Sequence, residues 1–153
     1  MKAAIRPFLT LSLLIGFLSI APAALNLSTT EAASYRSKLL QLHNRERKKR
    51  NLPRFRRVGS LNRAAAKYAR VMKVNNHFSH TGPDGSRFDQ RIRAAGYRGN
   101  AMGENIAFGY RTPAAVFRGW MKSPGHRRNI RSRKFDEIGF GKSGTYWVTN
   151  FGG

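Results

Sequence analysis

Apolar residues recur at helical spacing through the first two thirds of the chain and gather into two short runs at its end. Tyr35, Leu39 and Leu42, with Leu40 interleaved, put one apolar stripe on a helix whose polar side becomes Arg45, Arg47, Lys48, Lys49 and Arg50. Asn51-Leu52-Pro53 stops that helix, and Arg54, Arg56 and Arg57 carry the basic run into the following loop. Ser60 is placed to cap a second helix in which Leu61, Ala65, Tyr68, Ala69 and Met72 share a face, running to about Asn76. Gly82-Pro83-Asp84-Gly85 reads as a turn. Ser86 with Asp89 three residues on makes a capping box for a short helix carrying Phe88 and Ile92 and ending at Gly96. Met102 to Tyr110 has no helical spacing and predicts a short strand. Thr112-Pro113 opens a helix with Val116, Phe117, Trp120 and Met121 buried, and Ser123-Pro124 opens another through Ile130. Lys134 to Lys142 and Tyr146 to Phe151 are β-like runs joined by a hairpin connection. Helices bracketing a small sheet, without regular alternation of strand and helix, predict an α+β layered domain.

The first residues follow another logic. Met1 to Ala24 has a short basic start at Lys2 and Arg6, an apolar run from Phe8 to Ile20 and the small-residue string Ala21-Pro22-Ala23-Ala24. This is the pattern of a secretory signal peptide, residues 1–23, since about thirteen apolar residues are too few to span a bilayer. An uncleaved anchor, lengthened by Leu25 and Leu27, is the alternative. Residues 24–34, polar and small, are expected as a disordered lead-in, and 35–153 as one domain. A secreted or periplasmic location follows from the export segment. With no cysteine the domain rests on its core alone, which suits bacterial export.

Charge narrows the partners. Twenty-nine Lys and Arg stand against seven acids, a formal net charge of +22, and removal of Lys2 and Arg6 takes only two from it. Such a balance points to a polyanion: nucleic acid, anionic lipid or envelope polymer. Export and the lack of an aromatic-interleaved basic motif make nucleic acid the least accessible of these. The densest patch is Arg45, Arg47, Lys48, Lys49, Arg50, Arg54, Arg56 and Arg57. A merely solvated face is the competing reading of the scattered positives.

Among the few acids, Glu104 stands in an uncharged stretch, Ala-Met-Gly-Glu-Asn-Ile-Ala-Phe-Gly. A partly buried carboxylate costs free energy unless a cation, metal or donor compensates it. His80 and His126 flank it in sequence, each beside turn-forming residues, and are its expected partners. The dipole at a helix start disfavours a protonated His126. Glu137 is an alternative carboxylate, more simply explained as neutralising nearby arginines. His77 and His43 stay outside the site.

In order, Leu42-His43-Asn44-Arg45-Glu46-Arg47, Phe78-Ser79-His80, Pro83-Asp84-Gly85, Gly103-Glu104-Asn105-Ile106-Ala107, Trp120 with Ser123-Pro124-Gly125-His126-Arg127-Arg128-Asn129-Ile130, Glu137-Ile138-Gly139-Phe140-Gly141 and Trp147-Val148-Thr149-Asn150-Phe151-Gly152 resemble the CAP/SCP superfamily of cysteine-rich secretory, antigen 5 and pathogenesis-related proteins, most nearly its short bacterial secreted branch. The resemblance implies a three-layer α-β-α sandwich with a central cleft holding two His and two Glu as a divalent-metal site. Carried over, these are His80, Glu104 and His126, and the position of the second Glu is Ser123 here. Two His and one Glu leave a zinc-like set open to water.

Two functions compete. One is a binding module whose cationic surface docks on an anionic cell-envelope or lipid surface and whose cleft, His80, Ser123, Glu104 and His126, holds a small lipid-like ligand. The other is a metal-assisted hydrolase with His80 and His126 as ligands and Glu104 as ligand or general base. An antimicrobial role also fits the composition. No His-Glu-x-x-His helix, Gly-x-Ser-x-Gly elbow or cysteine nucleophile is present. The sequence leaves the oligomeric state open.

Overall fold

The computed structural model describes residues 23–153, so the expected signal segment, 1–23, lies outside the described residues but for its last position. In chain order the elements are α1 (Ala23–Lys48), β1 (Arg56–Arg57), α2 (Gly59–Val74), α3 (Phe88–Ala94), β2 (Met102–Ala107), α4 (Pro113–Lys122), α5 (Pro124–Arg131), β3 (Glu137–Ser143) and β4 (Tyr146–Gly152). The four strands form one sheet in the order β1-β3-β4-β2, with β1 parallel to β3 and the other pairs antiparallel.

Helices cover both faces, giving the α-β-α sandwich and leaving the strands with no simple alternation of polar and apolar residues. On one side Leu39 of α1, Val116 and Trp120 of α4 and Ile130 of α5 close on Phe140, Trp147 and Phe151. On the other, Ala65, Tyr68, Ala69 and Met72 of α2 close on Ile106 and Val148. A smaller cluster joins Leu61 and Ala64 of α2 to Ile92 of α3 and to Tyr97. Contact between α2 and the sheet depends on two glycines of β3. A Cβ on Gly139 would collide with the α2 backbone at Leu61 and Asn62, and one on Gly141 with that at Ala65 and Ala66.

Several local expectations change. Residues 24–34 are helical rather than a disordered lead-in: Ala32 packs against the first cluster and Glu31 accepts a bond from Lys142 at 2.7 Å, so tertiary contacts extend α1 backward. Ser60 does not cap α2, which starts one residue earlier after Val58; Ser60 is buried in its first turn. The box opening α3 uses Gln90, whose side chain accepts from the Arg87 backbone at 2.8 Å, while Asp89 pairs with Arg87. The Thr112 cap of α4 is as expected, its hydroxyl accepting from Ala115 at 3.2 Å, and the hairpin turns through Gly144-Thr145.

Arg47 is the largest correction. It is fully buried rather than part of the basic surface, and its guanidinium donates to the carbonyls of Pro53, Ile130, Ser132 and Phe135 while lying 4.0 Å from the Phe55 ring centroid. Arginine can hold four carbonyls because its donors form a rigid fork. It pins the end of α1 to the segment leading into β3.

Candidate functional site

Strand β2 aims Glu104 into the protein, opposite Asn150 of β4. The carboxylate is buried, and its cation is one that the histidine count overlooked. Arg91 of α3 donates to both oxygens, at 3.0 and 3.3 Å, and His80 Nδ1 meets Oε1 at 2.9 Å. Arg91 also donates to the carbonyls of His80 and Ser86, and its guanidinium lies 3.5 Å from the centroid of the Tyr68 ring. Tyr68 in turn donates its hydroxyl to the Ser79 carbonyl. The loop that carries His80 is therefore stitched to α2, α3 and β2 at once. Spacing along the chain does not single out Arg91: it stands three residues after Phe88 and beside Ile92, at the edge of an apolar face where a basic side chain ordinarily reads as surface.

His126 comes in from α5. Asn105 of β2 donates to its carbonyl at 3.0 Å, and Asn129 donates to Asn105 and to the Glu104 carbonyl at 2.8 and 3.3 Å, so two asparagines tie the first turns of α5 to the strand. Burial lowers the His126 ring below the ordinary histidine range, and the charge of nearby His80 adds to this. The expectation of a neutral His126 holds in direction, with burial and a neighbouring histidine as its causes. Ser123 sits at the corner between α4 and α5, where its hydroxyl does not cap the following helix.

Whether these residues suit the implied metal can be judged from their bonds. Glu104 spends both oxygens on Arg91 and one of them also on His80 Nδ1. A cation held this close by a guanidinium competes with a metal for the same lone pairs. Among the described residues, no group of three or more His, Asp or Glu is arranged to hold a metal ion. As placed, His80, Glu104 and His126 do not fit a divalent site.

Glu137, the alternative carboxylate, lies elsewhere in the sheet. It accepts from the Tyr97 hydroxyl and pairs with Arg56, as the neutralising role requires. His43 is fully buried among Phe117, Phe140, Trp120, Phe55 and Phe151, bonded through Nδ1 to the Leu39 carbonyl, and burial pushes its ring down to about 4. His77 bonds to the Thr81 carbonyl.

The remaining basic residues, Arg45, Lys48, Lys49, Arg50, Arg54, Arg56 and Arg57, are exposed. Glu46 holds Arg50 at 3.4 Å and Arg131 at 2.7 Å, which joins the end of α1 to a second basic run, Arg127, Arg128, Arg131, Arg133 and Lys134. That union needed the fold to be seen.

Comparison with known proteins follows the same lines. Residues 40–151 match the model of the CAP family, described as the cysteine-rich secretory protein family. The protein YkwD of Bacillus subtilis is 38% identical over 131 residues, which are 81% of this chain and 51% of that protein, so the chain spans about half the length of this relative. An extracellular Bacillus anthracis protein containing an SCP domain superposes with a TM-score of 0.76 at 28% identity, covering 78% of this chain and 40% of the other. An outer surface protein of Borrelia burgdorferi gives 0.68 at 28% identity, covering 80% and 90%. These two structural neighbours are an extracellular and an outer-surface protein, and among the described residues no helix is long and apolar enough to cross a membrane.

Proposed function

We propose that this chain, which belongs to the CAP (cysteine-rich secretory protein) family, is an exported binding module for anionic cell-envelope material. One observation carries the reading: at and just beyond the end of α1, Arg45, Lys48, Lys49, Arg54 and Arg57 are exposed and form no ion pair among the described residues, beside a second basic run on and just after α5. Two of the three local acids are already committed, Glu46 to Arg50 and Arg131 and Glu137 to Arg56, and the third is the exposed Asp136. Each cation brought to an anionic surface contributes about 1 kcal/mol, so five or six suffice without catalysis. In the cleft, His80 has Nδ1 on Glu104, and its Nε2, which has no hydrogen-bond partner among the described residues, is the ring nitrogen offered to a small or lipid-like ligand.

Reversing charge at Arg45, Lys48, Lys49 and Arg50 together is expected to abolish adsorption to isolated anionic envelope polymer, with wild-type adsorption falling steeply as salt rises. Undiminished adsorption by the reversed variant would refute the reading. The hydrolase alternative is tested by zinc calorimetry, in which His80→Ala and His126→Ala are expected to leave the titration unchanged. Stoichiometric zinc uptake that either substitution removes would return the cleft to metal chemistry.

A further inference from the structure

Among the described residues the exposed large hydrophobics are Val74, Phe78 and Phe108, at 76%, 52% and 52% exposure. The two phenylalanines meet, with ring centroids 6.2 Å apart, and Phe108 also lies 4.5 Å from Tyr146. Tyr146 donates to Asn76 at 3.0 Å, two residues beyond Val74, and the Gly109 backbone donates to Thr145 in the β3–β4 turn at 3.1 Å. The end of α2, the segment after it, the end of β2 and the hairpin tip therefore form one aromatic pole. Lone exposed apolar residues need no explanation, but a contiguous aromatic pair on a chain of formal net charge +22 does.

The surroundings say what would cover it. Arg70 and Lys73 near the end of α2, and Arg111 three residues after Phe108, are exposed and form no ion pair among the described residues. Lys73 reaches the hairpin, lying 3.5 Å from where a Cβ on Gly144 would stand. Glu31, an acid at this end of the sheet, is taken by Lys142 of β3. That same bond shows that α1 enters the fold here, whereas its other end is pinned by Arg47 to the Phe135 carbonyl ahead of β3, at the opposite pole. A second copy of the chain would bring these cations against their own kind, and a hydrated polymer offers no apolar medium to the rings. An anionic bilayer interface satisfies both, since aromatic rings settle at headgroup level and cations lie against phosphates.

We infer that the aromatic pole docks on an anionic lipid bilayer, with Phe78 and Phe108 entering among the headgroups and Arg70, Lys73 and Arg111 against the phosphates. The cationic end of α1 faces away from that membrane and stays free for envelope polymer, so the domain links the two. Docking at this pole does not depend on the polymer reading.

The test uses the full chain with vesicles of phosphatidylglycerol in phosphatidylcholine. A Phe108→Trp reporter is expected to shift to the blue and to be quenched by brominated lipid; the native Trp120 and Trp147 are buried and do not report. Phe78→Ser with Phe108→Ser should weaken vesicle binding at least tenfold with charge unchanged. Reversal at Arg45, Lys48, Lys49 and Arg50 should leave the quenching in place even where polymer adsorption is lost. A reporter that stays water-exposed on vesicle-bound protein overturns the inference, as does unchanged binding of the double serine variant. So does quenching that disappears with the α1 charges, or a dimer of the wild-type chain that the serine substitutions dissolve.

Discussion

Glu104 and Glu137 are buried carboxylates on two strands of one sheet, and the pairing register turns both toward the side covered by α2. Each meets one arginine and one ring. Glu104 takes Arg91, whose side chain is only 14% exposed, and the imidazole of His80. Glu137 takes Arg56, 70% exposed, and the phenol of Tyr97. The difference lies in which partner reaches water. At Glu104 the cation is inside and the ring is outside; at Glu137 the cation is outside and the ring is buried. The first arrangement seals the charge and leaves an imidazole exposed at the surface, whereas the second is fixed scaffolding with a solvated counter-charge.

Removing the two arginines should therefore give unequal costs. Arg91→Leu strands a buried carboxylate and is expected to cost about 3–5 kcal/mol in urea unfolding, as breaking a buried pair does. Arg56→Leu, at an exposed position, should cost less than about 1 kcal/mol. Equal losses would erase the distinction.

Acid titration sharpens it once His43 is subtracted. Burial holds the His43 ring at about 4 against an ordinary value of 6.5. Above the ordinary value the ring is neutral in both states and nothing is lost. As pH falls toward the folded value, the unfolded chain takes up a proton that the folded chain refuses, and about 3 kcal/mol of stability goes. His43→Phe should flatten this limb in pH-dependent unfolding curves. Part of the acid sensitivity that remains belongs to His126, which is also depressed by burial and by His80 and so loses stability in the same direction.

The Glu137 side should fail at the other extreme. Burial and the Glu137 carboxylate raise the Tyr97 hydroxyl above its ordinary value of 10.0. The folded chain keeps this proton where the unfolded one releases it, so stability is whole below that value and falls as pH rises beyond it. Tyr97→Phe is expected to cost about 2 kcal/mol at neutral pH, the worth of a hydrogen bond to a charged group, and to shrink the alkaline limb to what Tyr35 and Tyr68, also raised by burial, contribute. An alkaline limb that survives undiminished in thermal melts would show that the Tyr97 phenol is not a group responsible.

The layered fold was legible because its signals are local: the stripes of α1 and α2, Thr112-Pro113 and Ser123-Pro124 at helix starts, and a two-residue hairpin turn. His80 beside Glu104 was legible from motif and from the scarcity of acids. Arg91 was not, because a search for partners of a buried acid among histidines passes over twenty arginines that all look like surface. Arg47 was misread for the same reason; one more cation in a basic run gives no sign that four distant carbonyls converge on it. Segment 24–34 lacks the apolar periodicity that would declare a helix, and takes its shape from Ala32 and Glu31 meeting the rest of the fold. Long-range partners decide such cases, and spacing along the chain does not encode them.

Gly139 and Gly141 act as the ruler of this molecule. With only hydrogens there, α2 lies directly on β3, and the ring of Tyr68, on which Arg91 rests, is held at a height set by that contact. A single methyl at either position would be a wedge between layers, lifting a whole helix and with it the arginine that seals Glu104. The tolerance of the site is therefore written some distance from it, in two side chains that are not there.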